Sequence, residues 1–242
     1  MRLINDNNPM ASFGYLVKGL KWLTKSELRQ FILIPLAINL VLYSTLLFLA
    51  YTYIDALIQQ FIPDWLTWLN WILWPLFFVG FFVIGFFTFT LIANLLAAPF
   101  YGALSAKTTR LIKADPVFVK EPPVVKVVLA ELGRARYLLL RALPLLILSV
   151  IPGINIVAPV LWGLFGAWAM AMEYFAYPLE NAGILFAEQK QILSRYRLST
   201  LSFGGLVMLG LTLPLLNILI APAAVIGASL WAHDRDLIQP KN

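Results

Sequence analysis

Residues 142–172 read ALPLLILSVIPGINIVAPVLWGLFGAWAMAM, an uncharged run interrupted at Pro152-Gly153-Ile154-Asn155. Residues 201–232 read LSFGGLVMLGLTLPLLNILIAPAAVIGASLWA, interrupted at Pro214-Leu215-Leu216-Asn217. Proline withdraws a helix donor, and glycine or asparagine favours a turn, so each interruption predicts a tight corner. The arms on either side hold 10 to 17 residues, roughly 15 to 25 Å as helix. A hydrocarbon core is about 30 Å thick. Such arms are short for a crossing and fit helical hairpins that penetrate partway. The competing reading makes each interrupted run one kinked span. The two runs also resemble each other: Pro152, Asn155, Pro159 and Trp168 recur as Pro214, Asn217, Pro222 and Trp231, an offset of about 62 residues.

The first half of the chain has longer apolar stretches. Residues 31–54 carry no charge before Asp55, and the uncharged stretch 65–101 contains a core at 71–99. Both are long enough to span a bilayer, the second with tilt or with an extension beyond the lipid. Residues 11–25 place Phe13, Leu16, Val17, Leu20 and Leu23 at helical spacing opposite Lys18, Lys21 and Lys25, which predicts an amphipathic interfacial helix. The predicted fold is an all-α integral membrane protein, with two transmembrane helices at 31–54 and 71–99. Two hairpins follow at 139–172 and 201–232, and a cytoplasmic helical region lies at 102–138. Residues 1–242 form one membrane domain, with Asp115-Pro116 and Glu121-Pro122-Pro123 breaking the central region into a loop.

Composition agrees. The chain is 61% hydrophobic and 12% charged, about half the charged fraction of a soluble domain. The net charge of +6 comes from basic residues lying between apolar segments, the pattern of membrane topology and not of nucleic-acid binding. Residues 55–70 hold Asp55 and Asp64 and no Lys or Arg. The basic residues of the N-terminal arm, the central region, the 173–200 loop and the tail fall on one face only if both interrupted runs return to their side of entry. By the positive-inside rule that face is cytoplasmic. Charge parity therefore favours hairpins over kinked spans.

Enzymatic constellations are lacking. There is no cysteine and one histidine, and no Walker A, GxGxxG or HExxH pattern, so no catalytic site, metal site, cofactor or built-in ATPase is expected. The informative groups are amides in apolar runs (Asn39, Asn94, Asn155, Asn217), since an unpaired amide in hydrocarbon needs a partner or a water-filled path. Lys25 and Arg29 at the start of the first span, with Lys107 and Arg110 just past the second, compose a basic vestibule suited to a small anion.

In order along the chain, Gly14-Tyr15-Leu16-Val17-Lys18-Gly19, Leu28-Arg29, Ile34-Pro35-Leu36-Ala37-Ile38-Asn39 and Asn94-Leu95-Leu96-Ala97-Ala98-Pro99-Phe100 resemble the CysZ family of bacterial sulfate permeases. So do Glu173-Tyr174-Phe175-Ala176-Tyr177-Pro178-Leu179-Glu180-Asn181, Phe203-Gly204-Gly205 and Pro222-Ala223-Ala224-Val225-Ile226-Gly227-Ala228. The resemblance implies a sulfate channel or permease of the inner membrane that supplies cysteine synthesis, built as a homo-oligomer with hemi-penetrating hairpins. It implies sulfate binding at Leu28 and Arg29. Glu27 stands where the family's motif has glycine, Gln30 where a second arginine often follows, and Ala176 replaces the acid of an Asp-Tyr-Pro triplet. The alternative is a non-transporting membrane scaffold or lipid-interacting protein.

Overall fold

Asn8 sets the first helix. Its side-chain oxygen accepts the Met10 N–H at 2.9 Å, and Pro9 occupies the first turn, where no donor is needed. The computed structural model describes residues 7–61, 68, 70–112, 123–213 and 216–238, and among them the regular structure is entirely helical. The helices are α1 (Pro9–Trp22), α2 (Ser26–Phe61), α3 (Asn70–Ile112), α4 (Val124–Val150), α5 (Ala158–Asn181), α6 (Phe186–Arg195), α7 (Arg197–Thr212) and α8 (Asn217–Asp234). They divide into two units, one of Met1–Gln30 with Tyr101–Asn242, the other of Phe31–Phe100.

The Phe31–Phe100 unit holds most of α2 and α3, whose 36 and 43 residues rise about 54 and 65 Å. Both exceed the hydrocarbon thickness: residues 31–54 fall in the middle of α2, and residues 71–99 take up α3 from its second residue and leave its C-terminal end beyond them. Leu33, Ile34, Leu40, Val41 and Phe48 of α2 are exposed, as are Trp71, Leu76 and Val79 of α3. Trp74, Phe78 and Phe82 stack at i,i+4 spacing, with centroids 5.4 and 6.3 Å apart. A helix that exposes apolar residues without a polar face suits lipid. Ser26–Leu49 is long and apolar enough to cross a membrane, and its most apolar 18 residues are not buried by protein.

In the other unit the core is α8. Every residue from Ile220 to Trp231, and Ala232 after it, is buried. Its apolar character comes from being surrounded by protein, not from facing lipid; only the corner-proximal residues up to Leu219 are exposed. Small residues let its neighbours close in. Gly19 of α1 lies against the Ala223 backbone, and a Cβ on Gly227 would stand 2.8 Å from the Tyr15 carbonyl oxygen. Gly204 of α7 lies likewise against the backbone of Ala167 and Ala171 in α5. Trp231 and Phe203 both pack on Phe175, at 4.5 and 4.8 Å between centroids. Buried polar groups pair across the helices: Ser12 Oγ donates to the Ser199 carbonyl at 2.6 Å, and Trp231 Nε1 donates to Ser199 Oγ at 3.2 Å.

Two helix pairs take up the interrupted runs, with bounds other than 139–172 and 201–232. α4 runs unbroken across residue 139, α5 continues past 172 to Asn181, and the second pair extends from Arg197 to Asp234. Charges at Arg134, Arg136, Arg141 and Glu173 end the uncharged runs, but a charge does not end a helix when its side chain reaches polar atoms. Pro144, Pro178 and Pro222 also lie inside helices, each at the loss of one backbone bond. As a result Ile154–Asn181 is itself long and apolar enough to cross a membrane, while α7, with 16 residues, rises only about 24 Å.

The corners close alike. The Asn155 N–H donates to the Ile151 carbonyl at 3.0 Å, and the Asn217 N–H to the Leu213 carbonyl at 3.1 Å. Gly153 takes φ +85°, which explains glycine at that turn. Trp162 Nε1 donates to Ser149 Oγ at 3.0 Å, pinning the first pair across its corner. Pro214 lies outside the described residues. In α1 the packed face holds Ser12, Tyr15, Leu16 and Gly19, while Phe13 is 54% exposed. The face expected from hydrophobic spacing is thus rotated toward the small residues that permit close approach.

Candidate functional site

The elbow between α1 and α2 is fixed from both sides. Leu23 and Leu28 are buried, and the Leu23 N–H returns to the Gly19 carbonyl at 3.1 Å. The turn between them carries the cations. Lys25 Nζ sits 3.2 Å from the centroid of the Trp22 ring, a cation–π contact. Arg29 is exposed, and its Nε donates to the Thr24 carbonyl at 2.9 Å. That bond orients the guanidinium, and among the described residues its terminal amino groups meet no acceptor. The Leu28 and Arg29 N–H groups both turn back to the Lys25 carbonyl, at 3.1 and 3.2 Å. The Glu27 N–H donates to its own carboxylate, and it and the Ser26 N–H lie at the positive end of the helix.

Glu27 does not cancel the cations around it. Its carboxylate accepts from Ser26 Oγ at 3.1 Å and feels the positive charge of Lys107 and Lys25. Lys107, at the end of α3, therefore belongs electrostatically to the elbow. The local balance of Lys25, Arg29 and Lys107 against Glu27 stays positive. Gln30 turns its amide to the Glu27 carbonyl at 3.4 Å, a long bond.

Not every predicted residue joins this group. Arg110 is exposed in the last turn of α3, where it complements the helix dipole. Asn39 and Asn94 lie within α2 and α3, with side chains outside the described set. Pro152, Asn155 and Asn217 build the exposed corners. Ala176, in place of an acid, is buried in α5.

A polar centre that the spacing did not reveal joins α4, α5 and α6. Arg134 Nη2 donates to Glu180 Oε1 at 2.7 Å and to Gln189 Oε1 at 2.9 Å, while Nη1 meets Glu131 at 3.1 Å. Gln189, fully buried, also donates to the Ile184 carbonyl at 2.8 Å. Burial pushes the Glu131 carboxyl above the usual range; Arg134 opposes the rise, and Glu180 and Glu173 add to it. Glu131 and Arg134 at i,i+3 are visible as a helix-surface pair, but nothing in sequence brings Gln189 to them. Asn181 Nδ2 donates to the Gly102 carbonyl at 2.9 Å, tying the end of α5 to α3. Among the described residues no cluster of three metal-ligating side chains occurs.

Residues 15–222 match the family described as Sulfate transporter CysZ/Etoposide-induced protein 2.4. A protein of Pseudomonas fluorescens named Sulfate transporter CysZ is 43% identical, with 91% of this chain and 92% of the relative covered. Proteins of the same name from Pseudomonas syringae and Pseudomonas aeruginosa are 41% and 39% identical, again over 91% of this chain and over 91% and 94% of their own lengths. With matches this long on both sides, the chain belongs to the sulfate transporter CysZ/etoposide-induced protein 2.4 family.

Proposed function

We propose that this protein carries sulfate across the bacterial cytoplasmic membrane, with its basic face on the cytoplasmic side, as a homo-oligomer supplying cysteine synthesis. The observation that carries the proposal is the α1–α2 elbow. There, in a family whose relatives are named sulfate transporters, Arg29 is held by a backbone bond, and among the described residues its terminal amino groups are open. Sulfate must shed water to enter a membrane path, and each lost water contact needs a donor in its place. Arg29, Lys25 and Lys107 provide such donors at one end of a long apolar helix, beside the positive end of α2. No nucleotide-binding motif accompanies them, so the gradient of sulfate itself, or of an ion, supplies the drive. Nothing in the arrangement asks for an enzyme.

Radiolabelled sulfate flux into liposomes holding the purified protein is the direct test. Uptake well above that of empty liposomes is expected. Uptake equal to empty liposomes would return the protein to the scaffold or lipid-interacting reading.

A further inference from the structure

Arg141 is the last charge on α4 before the uncharged stretch 142–172 that forms the first helix pair, and Glu173 is the next charge after it. The level of Arg141 is therefore where that pair would pass from headgroups into hydrocarbon. The Arg141 guanidinium lies 3.8 Å from the centroid of the Tyr137 ring, and Lys190 Nζ of α6 lies 5.5 Å from the same centroid. Tyr137 is held in place: Trp168 Nε1 donates to its hydroxyl at 3.2 Å, and Phe186 packs edge-on at 5.6 Å. Tyrosine and tryptophan so placed are typical of a membrane–water boundary.

Two cations are thus gathered on one fixed ring, and among the described residues no carboxylate pairs with either of them. Leu139, Leu140, Leu143 and Ile147 are exposed along α4 beside this point. A free inorganic anion has no use for such a stripe, whereas an amphiphile with a phosphate head and acyl chains fits both parts. We infer that Arg141 and Lys190, arranged around Tyr137, hold the phosphate headgroup of an anionic phospholipid whose acyl chains run along the exposed face of α4. Headgroup capture requires only that the first helix pair enters lipid, and is independent of sulfate passage.

The test is native mass spectrometry of the detergent-purified full chain, offered dioleoyl phosphatidylglycerol or dioleoyl phosphatidylcholine. Wild type is expected to retain phosphatidylglycerol in clear preference, and Arg141→Ala with Lys190→Ala to lose that preference by roughly tenfold. The charge-preserving pair Arg141→Lys with Lys190→Arg should keep most of it, and Arg136→Ala, an exposed cation on the same helix, should leave it unchanged. Equal retention of the two lipids by wild type overturns the assignment. So does undiminished phosphatidylglycerol binding in the double alanine variant, or displacement of the lipid by millimolar sulfate, which would make this an inorganic-anion site. If the double variant does not fold, Lys190→Ala alone is read by the same criteria.

Discussion

Among the described residues Arg29 has only its Nε engaged, so its replacement tests anion handling with little structural disturbance. Arg29→Ala is expected to lower sulfate flux into liposomes by roughly tenfold, the usual worth of a charge-assisted bond, and Arg29→Lys to recover part of it. Unchanged flux in Arg29→Ala would place the anion contact elsewhere. Tyr15 offers a second test of a single side chain. Burial raises its phenol above the ordinary value of 10.0, and Asp234, which accepts its hydroxyl at 2.9 Å, raises it further. The folded protein therefore holds that proton more tightly than the unfolded chain does. The resulting stability is fully present below pH 10 and is lost as pH rises beyond it. The thermal midpoint in detergent should fall more between pH 8 and pH 10.5 for wild type than for Tyr15→Phe, with Tyr15→Phe itself costing about 1 kcal/mol at pH 8. At this scale Lys25, Arg29 and Lys107 are legible as candidates, because cations at the ends of apolar runs stand out, and the flux of the Arg29 variants is what tests them. Gln189 is not legible, being a neutral amide whose role depends on where α6 folds back.

At the scale of elements, corners were legible and faces were not. Asn155 and Asn217 both stand at a turn that closes on the residue four before, and such residues act on the backbone within a few positions. Which side of an apolar helix meets protein and which meets lipid leaves no such contrast, because both surroundings accept leucine. α8 illustrates this: it reads as one arm of a membrane hairpin and lies buried along nearly its whole length. The glycines carry the missing information. Gly227→Ala forces a methyl group against the Tyr15 carbonyl, so α1 should separate from α8 at a cost of about 2 kcal/mol, seen as a lower thermal midpoint and faster proteolysis near α1. Gly14→Ala, with open space at its Cβ, is the matched control and should be neutral or slightly stabilising. Equal behaviour of the two variants would mean that the α1–α8 crossing is not a close one.

For the whole molecule, the distribution of charge bears on sidedness, which composition alone left open. In intact cells, a membrane-impermeant maleimide should not reach Cys placed at Ile156 or Ile218, exposed residues at the two corners, from the outer face. Cys at Arg136 should react only once the cytoplasmic side is opened. Outer-face labelling of Ile156→Cys would show that the first helix pair crosses, as the length of Ile154–Asn181 allows. The packing of α1 on α7 and α8 has a further consequence, for assembly. Asn7 accepts the N–H groups of Leu198 and Ser199, Ser12 reaches Ser199, and Tyr15 reaches Asp234, contacts that span 187 to 219 residues of chain. A helix made among the first therefore waits for almost the last one before it has a partner, roughly ten to forty seconds at bacterial and slower elongation rates. During that interval α1 has only the membrane surface against which to hide its apolar side chains. The interfacial affinity suggested by its spacing then belongs to a biosynthetic stage, and the small-residue face to the finished protein.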